Sequence, residues 1–299
     1  MSCPNGCRPG SCQLKWEAIP VRSDPAEMRT AKEPFIIRQW RSVDGNSPWA
    51  SIRGVMEVAS DAVAGTKVDG KDAFMSVKEA LKNIEEGRSV HIKGWEYVAQ
   101  GCQAPIELDI EKDCMLLNNK SMLARKVSEV MRWVFIGTKG TGSACHIDPL
   151  ASAAWMWMTH GRKEWRMASG TPANIDQLPP LFECTEELKS YRHLYHFVMN
   201  PGDLLFIPRG CLHEVRNMNT TIAVTHNVVL EPAALWDEVR RVLTLVVAYG
   251  GLEPLEGHPK VDSLLFGTLM ACLYGDMEMP EDIERKVEKI RPSIDFTEE

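Results

Sequence analysis

Between residues 131 and 229 the apolar positions come in short runs, at 132–136, 153–158, 164–167, 204–207, 214–216 and 221–228. Glycine and proline punctuate them: Gly137, Gly140, Gly142, Gly161, Gly170, Pro201-Gly202, Pro208 and Gly210. Many short strands separated by turn residues predict a sandwich or a barrel. The flanks read differently. Residues 34–38 form a short apolar run, a predicted strand. In SVKEALKNI, 76–84, Val77, Ala80, Leu81 and Ile84 share one helical face, and Gly87 ends the helix. A strand is predicted at 89–92, and loop and helix over 99–130. After Pro232 the spacing is helical again: Leu235, Val239, Val242 and Val246 make one stripe, Gly250-Gly251 stops it, and 263–274 is a second apolar helix. The chain therefore divides into an N-terminal tail (1–30), an α/β support region (31–130), a β-rich core (131–230) and a C-terminal helical region (231–299). The fold class is mainly β with flanking helices.

Charge narrows the partners. Of 299 residues, 44% are hydrophobic and 25% charged, as in a globular protein. The net charge of −7 argues against broad binding to a nucleic-acid backbone, which needs clustered Lys and Arg. No apolar run reaches the ~20 residues that span a bilayer, and MSCPNGCRPGSCQLKW lacks the apolar stretch of a signal peptide. An intracellular, soluble protein is expected, cytoplasmic or nuclear, with its nine cysteines reduced. Cys3, Cys7 and Cys12 supply three thiols, one short of the four ligands of a closed zinc site, so a reduced tail is the reading.

The segment with chemistry in it is Cys145-His146-Ile147-Asp148-Pro149. On a strand, residues i and i+2 point to one face, so His146 and Asp148 can converge on one point. Pro201-Gly202-Asp203-Leu204-Leu205-Phe206-Ile207-Pro208 reads as turn, strand and turn, and His213 lies just beyond it. Two histidines and one carboxylate on one face of a metal leave the opposite positions open, as in non-haem Fe(II) oxygenases. This is also how a cupin-type barrel brings a distal histidine to its mouth.

Two stretches carry a resemblance. GTKGTGSACHIDPLASAAWMWMTHGRKEW, 137–165, and PGDLLFIPRGCLHEVRNMNTTIAVTHNVV, 201–229, resemble the two halves of the JmjC oxygenase signature. The similarity is to the branch of the nuclear lysyl 5-hydroxylase once described as a phosphatidylserine receptor. It is specific over 131–230 and weak over 31–130. It implies a double-stranded β-helix, the jelly-roll of cupins, with His146, Asp148 and His213 holding Fe(II) and with 2-oxoglutarate and O2 as cosubstrates. It further implies that Lys163 and Ser143 grip the distal carboxylate of 2-oxoglutarate, that Thr225 touches the cosubstrate, and that Asn227 lies near it. His91 aligns loosely with a tyrosine that touches the cosubstrate in that branch. A buried lysine suits the task, because an ion pair strengthens where water is excluded.

The sequence also departs from the pattern. Met156 stands where the branch has an asparagine, and a thioether donates no hydrogen bond. Trp155, Trp157 and Trp165 surround the site and read mainly as core packing; Cys145 and Cys211 read as small fillers. His160, His193, His196, His226 and His258 have no ligand spacing that improves on the triad. By resemblance the substrate is a protein or peptide side chain, basic and preferably lysyl, hydroxylated or demethylated. Glu183, Glu186 and Glu187 offer acidic attraction to it. The alternatives are a catalytically silent cupin-type peptide-binding module, and an oxygenase acting on a small metabolite or a nucleic-acid base. A homodimer through the C-terminal helices is expected, because Leu264, Leu265, Leu269 and Leu273 add apolar surface to the first stripe.

Overall fold

The computed structural model describes residues 14–45, 47–59, 61–102, 129, 131–148, 152–170, 180–183, 186–228, 230, 281–283 and 285. The chain falls into two units: one of residues 1–110, 129–148 and 153–227, the other of 111–128, 149–152 and 228–299. Few residues of the second are described. Cys3, Cys7 and Cys12, the C-terminal helices and the dimer expected from them all lie outside the described residues.

The first unit is built from two sheets. Its strands are β1 (Phe35–Ile37), β2 (Val63–Val68), β3 (Lys71–Ser76), β4 (Val90–Trp95), β5 (Arg132–Gly137), β6 (Gly142–His146), β7 (Ala153–His160), β8 (Lys163–Ser169), β9 (His193–Met199), β10 (Leu204–Ile207), β11 (Leu212–Asn217) and β12 (Thr221–Val228). Eight form one sheet, in the order β1-β10-β7-β12-β5-β4-β2-β3. Four form the other, β6-β11-β8-β9. The inner faces of both sheets meet in one apolar cluster that includes Met156 and Met158 of β7, Trp165 and Met167 of β8, Tyr195 and Phe197 of β9, and Leu205 of β10. Two antiparallel sheets packed on one core are the jelly-roll-like β fold expected from the sequence, and burial on both faces explains why β7 reads as a nearly unbroken apolar run; β12 is buried along its length although Thr221, Thr225, His226 and Asn227 are polar.

Two helices flank the larger sheet's N-terminal strands: α1 (Ile52–Val58) and α2 (Val77–Glu85). α2 is the helix predicted at 76–84. Ser76 is its N-cap, with Oγ accepting from Glu79 N–H, and Val77, Ala80 and Leu81 are buried. Gly87 follows at φ 82°, the left-handed conformation that ends helices. β2 and β3 form a hairpin over Asp69-Gly70, both at positive φ, the backbone that a tight primed turn needs. Among the described residues no helix is long and apolar enough to cross a membrane.

The turn into β10 is locked by one buried carboxylate. Asp203, 1% exposed, accepts hydrogen bonds from Gln39 N–H at 3.0 Å, Asn200 N–H at 2.9 Å and the Arg38 guanidinium at 2.7 Å. It joins the loop after β1 to the turn before β10. Asp203→Ala leaves two backbone donors without an acceptor in the protein. It is expected to lower unfolding free energy by about 2–4 kcal/mol, read from denaturant midpoints. An unchanged midpoint would mean that water replaces the carboxylate without loss.

Candidate active site

β6 and β11 pair antiparallel with His146 directly opposite His213. Their rings are 4.1 Å apart, centre to centre. Asp148 follows β6 two residues after His146, and its Oδ1 lies 3.9 Å from His213 Nε2. One ligand atom from each of His146, Asp148 and His213 falls within 4.8 Å of the others. His146 Nδ1 is 2.8 Å from Ala144 O, and His213 Nδ1 is 3.0 Å from Cys211 O. A carbonyl only accepts, so each Nδ1 carries a proton and each Nε2 is the nitrogen left to face a metal. This is how metal-binding histidines are oriented. Burial, helped by His146, drives the His213 pKa down to about 4, while Asp148 opposes the shift; the ring is neutral at pH 7. Asp148 Oδ2 is buried without a hydrogen-bond partner, an expensive arrangement for a carboxylate unless a cation sits there. The donor set and the orphaned oxygen both fit a divalent metal such as Fe(II).

The triad opens into a cavity lined also by Ser143, Lys163, Thr225 and Asn227, so four of the five cosubstrate residues expected from the sequence meet there. His91 does not line it. That residue is buried on β4 opposite Gly137, and burial together with the charge of Lys163 lowers its pKa to about 4. Lys163 opens β8 and is 4% exposed, with Nζ 5.7 Å from the centre of the Phe135 ring. Burial lowers its pKa to about 8. Among the described residues no carboxylate lies within ion-pair distance of it. Thr225 Oγ1 donates to Trp155 O at 2.6 Å, so toward a ligand this hydroxyl can only accept.

Strand alternation sorts the aromatic residues. Met156 lines the cavity with Ala154, whereas Trp155 and Trp157 point to the opposite face of β7, where Trp155 meets His226 and Trp157 meets Trp40. Trp165 lines the cavity, 5.9 Å from the His213 ring. Trp133 and Phe135 of β5 also line it. Sequence reasoning missed them because both faces of β5 are apolar, so alternation alone does not say which set faces inward. Glu183 and Glu187 are exposed and outside the cavity lining. His160, His193 and His196 are engaged with Ala50 O, Glu17 and Glu164.

The region that holds this geometry is similar to known proteins. The family model of the JmjC domain matches residues 115–234. Over 116 residues, 32% of this chain, the sequence is 31% identical to the bifunctional arginine demethylase and lysyl-hydroxylase psr-1 of Caenorhabditis elegans, covering 29% of that protein. Over 111 residues, 32% of this chain, it is 31% identical to the 2-oxoglutarate and iron-dependent oxygenase JMJD4 of Mus musculus, covering 26% of it. Over 243 residues, 69% of this chain, it is 26% identical to the arginine-specific demethylase JMJ20 of Arabidopsis thaliana, covering 52% of it. The matches thus span under a third of psr-1 and JMJD4 and about half of JMJ20. Residues 115–234 thus match the JmjC domain, and the same stretch carries the oriented His-Asp-His set.

Proposed function

We propose that this chain is an Fe(II)- and 2-oxoglutarate-dependent oxygenase that hydroxylates a protein side chain, lysyl by preference. When the attacked carbon is an N-methyl, the same chemistry ends in demethylation. The observation that carries the reading is a single cavity with the His146/Asp148/His213 set at one end and a buried, carboxylate-free Lys163 at the other. On β8, Lys163 is four residues from Met167, which lies opposite His213. That is about 13 Å of strand, shortened by the lysine's own side chain. A five-carbon dicarboxylate suits the gap.

Iron, with 2-oxoglutarate and O2, would supply the oxidising chemistry. The protein's share is positioning. Hydrogen bonds from Nδ1 to Ala144 O and Cys211 O orient the His146 and His213 rings, leaving Nε2 to face the metal position. Lys163 meets the distal carboxylate, Ser143 and Asn227 offer further hydrogen bonds, and Met156, Trp165, Ile207 and Val215 form an apolar wall that keeps water out. Met156 belongs to that wall, so the lysine–carboxylate contact it flanks gains strength from low polarity rather than from an amide.

The charge of Lys163 sets a pH dependence. With a pKa of about 8 in the free protein, the ammonium is present below pH 8 and lost above it. Affinity of the manganese-loaded protein for 2-oxoglutarate is expected to be flat below that pH and to fall by roughly tenfold per pH unit beyond it, by calorimetry. A flat profile through the alkaline range would place the distal carboxylate elsewhere.

Mass spectrometry of a peptide library rich in lysine, arginine and their methylated forms, incubated with Fe(II), 2-oxoglutarate and air, tests the assignment. The expected product gains one oxygen or loses one methyl group. Succinate without any peptide change would favour a metabolite or nucleic-acid base, and neither product would favour a binding module. That relatives are named as arginine demethylases and a lysyl-hydroxylase supports a protein substrate.

A further inference from the structure

Glu33 lies just before β1, far in sequence from the residues of the metal centre. Because Phe35 pairs with Phe206 in an antiparallel ladder, Glu33 sits at the end of the sheet where Ile207 and its neighbour Ala154 line the cavity. Its Oε2 accepts a hydrogen bond from Ser169 Oγ at 2.5 Å and one from Tyr195 Oη at 3.2 Å. Both donors belong to the inner face of the smaller sheet. On β8, Lys163, Trp165, Met167 and Ser169 share one face, and the first two line the cavity. Met167 is opposite both His213 and Tyr195. Ser169 is one inward step beyond it, about 7 Å along the strand on the side away from Lys163. The Glu33 carboxylate therefore stands toward the metal end of the two sheets, beside the cavity rather than among the residues that line it.

Its company is unusual. A half-buried carboxylate is normally matched by a cation. Among the described residues none lies within ion-pair distance of Glu33; two hydroxyl groups hold it instead. Burial and the Glu33 charge push the Tyr195 phenol well above its usual pKa, so it remains a donor that orients the carboxylate.

We propose that Glu33 receives the positive charge of the substrate side chain and thereby selects a cationic residue for the metal centre. The assignment rests on the metal-centre reading above and adds a specificity determinant to it. A lysyl or arginyl side chain entering from the mouth places its charged nitrogen against Glu33 while a carbon of the same side chain faces the triad. Without this contact Glu33 would be only a clasp joining the segment before β1 to the smaller sheet. Glu33→Gln separates the two roles, because the amide oxygen still accepts from Ser169 and Tyr195 while the charge is gone.

The test uses the full chain loaded with Mn(II), with n-butylammonium and uncharged 1-butanol as probes, read by paramagnetic relaxation of the probe protons. The ammonium is expected to show saturable relaxation enhancement and the alcohol little. Glu33→Gln is expected to weaken ammonium binding by about tenfold or more, and Glu33→Asp to retain part of it. Equal ammonium binding in wild type and Glu33→Gln, or no preference for ammonium over alcohol in wild type, overturns the assignment. Mn(II) titrations run before any probe is added tell the two readings apart. Wild-type protein that fails to bind Mn(II) removes the metal centre and this assignment with it; Mn(II) binding with Glu33-independent ammonium behaviour removes Glu33 alone.

Discussion

Replacing His146 or Asp148 by alanine is expected to abolish 2-oxoglutarate turnover and to weaken Fe(II) or Mn(II) binding by more than about a hundredfold. Losing a mere outer-shell partner of a metal ligand already costs about 10- to 100-fold, and these residues offer the ligand atoms themselves. The two variants should differ in stability. His146→Ala removes a ring packed against His213. Asp148→Ala removes a carboxylate whose Oδ2 has no partner, so the metal-free protein should tolerate it better. Turnover that survives in either variant would take iron away from this triad.

Lys163→Met is expected to leave metal binding intact and to weaken 2-oxoglutarate binding by about ten- to a hundredfold or more. A hydrogen bond to a charged group is worth about 1.5–3 kcal/mol, and 1.4 kcal/mol is tenfold. The same change should stabilise the ligand-free protein, because burial disfavours the ammonium and a thioether of similar length fills its place. Thermal melts without ligand and calorimetry with it give opposite signs if Lys163 is a binding residue. A lower melting temperature together with wild-type affinity would make it a structural lysine.

The metal set was legible because its parts are local. His146 and Asp148 share a strand-like spacing, and the turn at Pro201-Gly202 announces the strand before His213. The bounds of β10 and β12 follow the apolar runs at 204–207 and 221–228. β9 escaped notice: its alternation of histidine, tyrosine and phenylalanine follows no strong turn signal. The β2–β3 hairpin was missed although Asp69-Gly70 is a good turn signal, because β3 is mostly exposed and carries no apolar stripe. Trp155 and Trp157 read mainly as core packing, and period-two alternation indeed turns them away from the cavity into contact with His226 and Trp40. Glu33 was invisible for a different reason: its partners are 136 and 162 residues distant, and only the closed fold brings them together. The same holds for Trp16 and Ile19, which are buried with no periodic pattern to announce it.

The cavity between His213 and Lys163 is expected to turn over 2-oxoglutarate. Succinate formation by the full chain, measured with and without added Fe(II) in air, addresses it most directly. Slow succinate release is expected that needs iron, is lost in Asp148→Ala and is suppressed by a chelator. No succinate from iron-loaded wild-type protein, or release indifferent to iron, would contradict it.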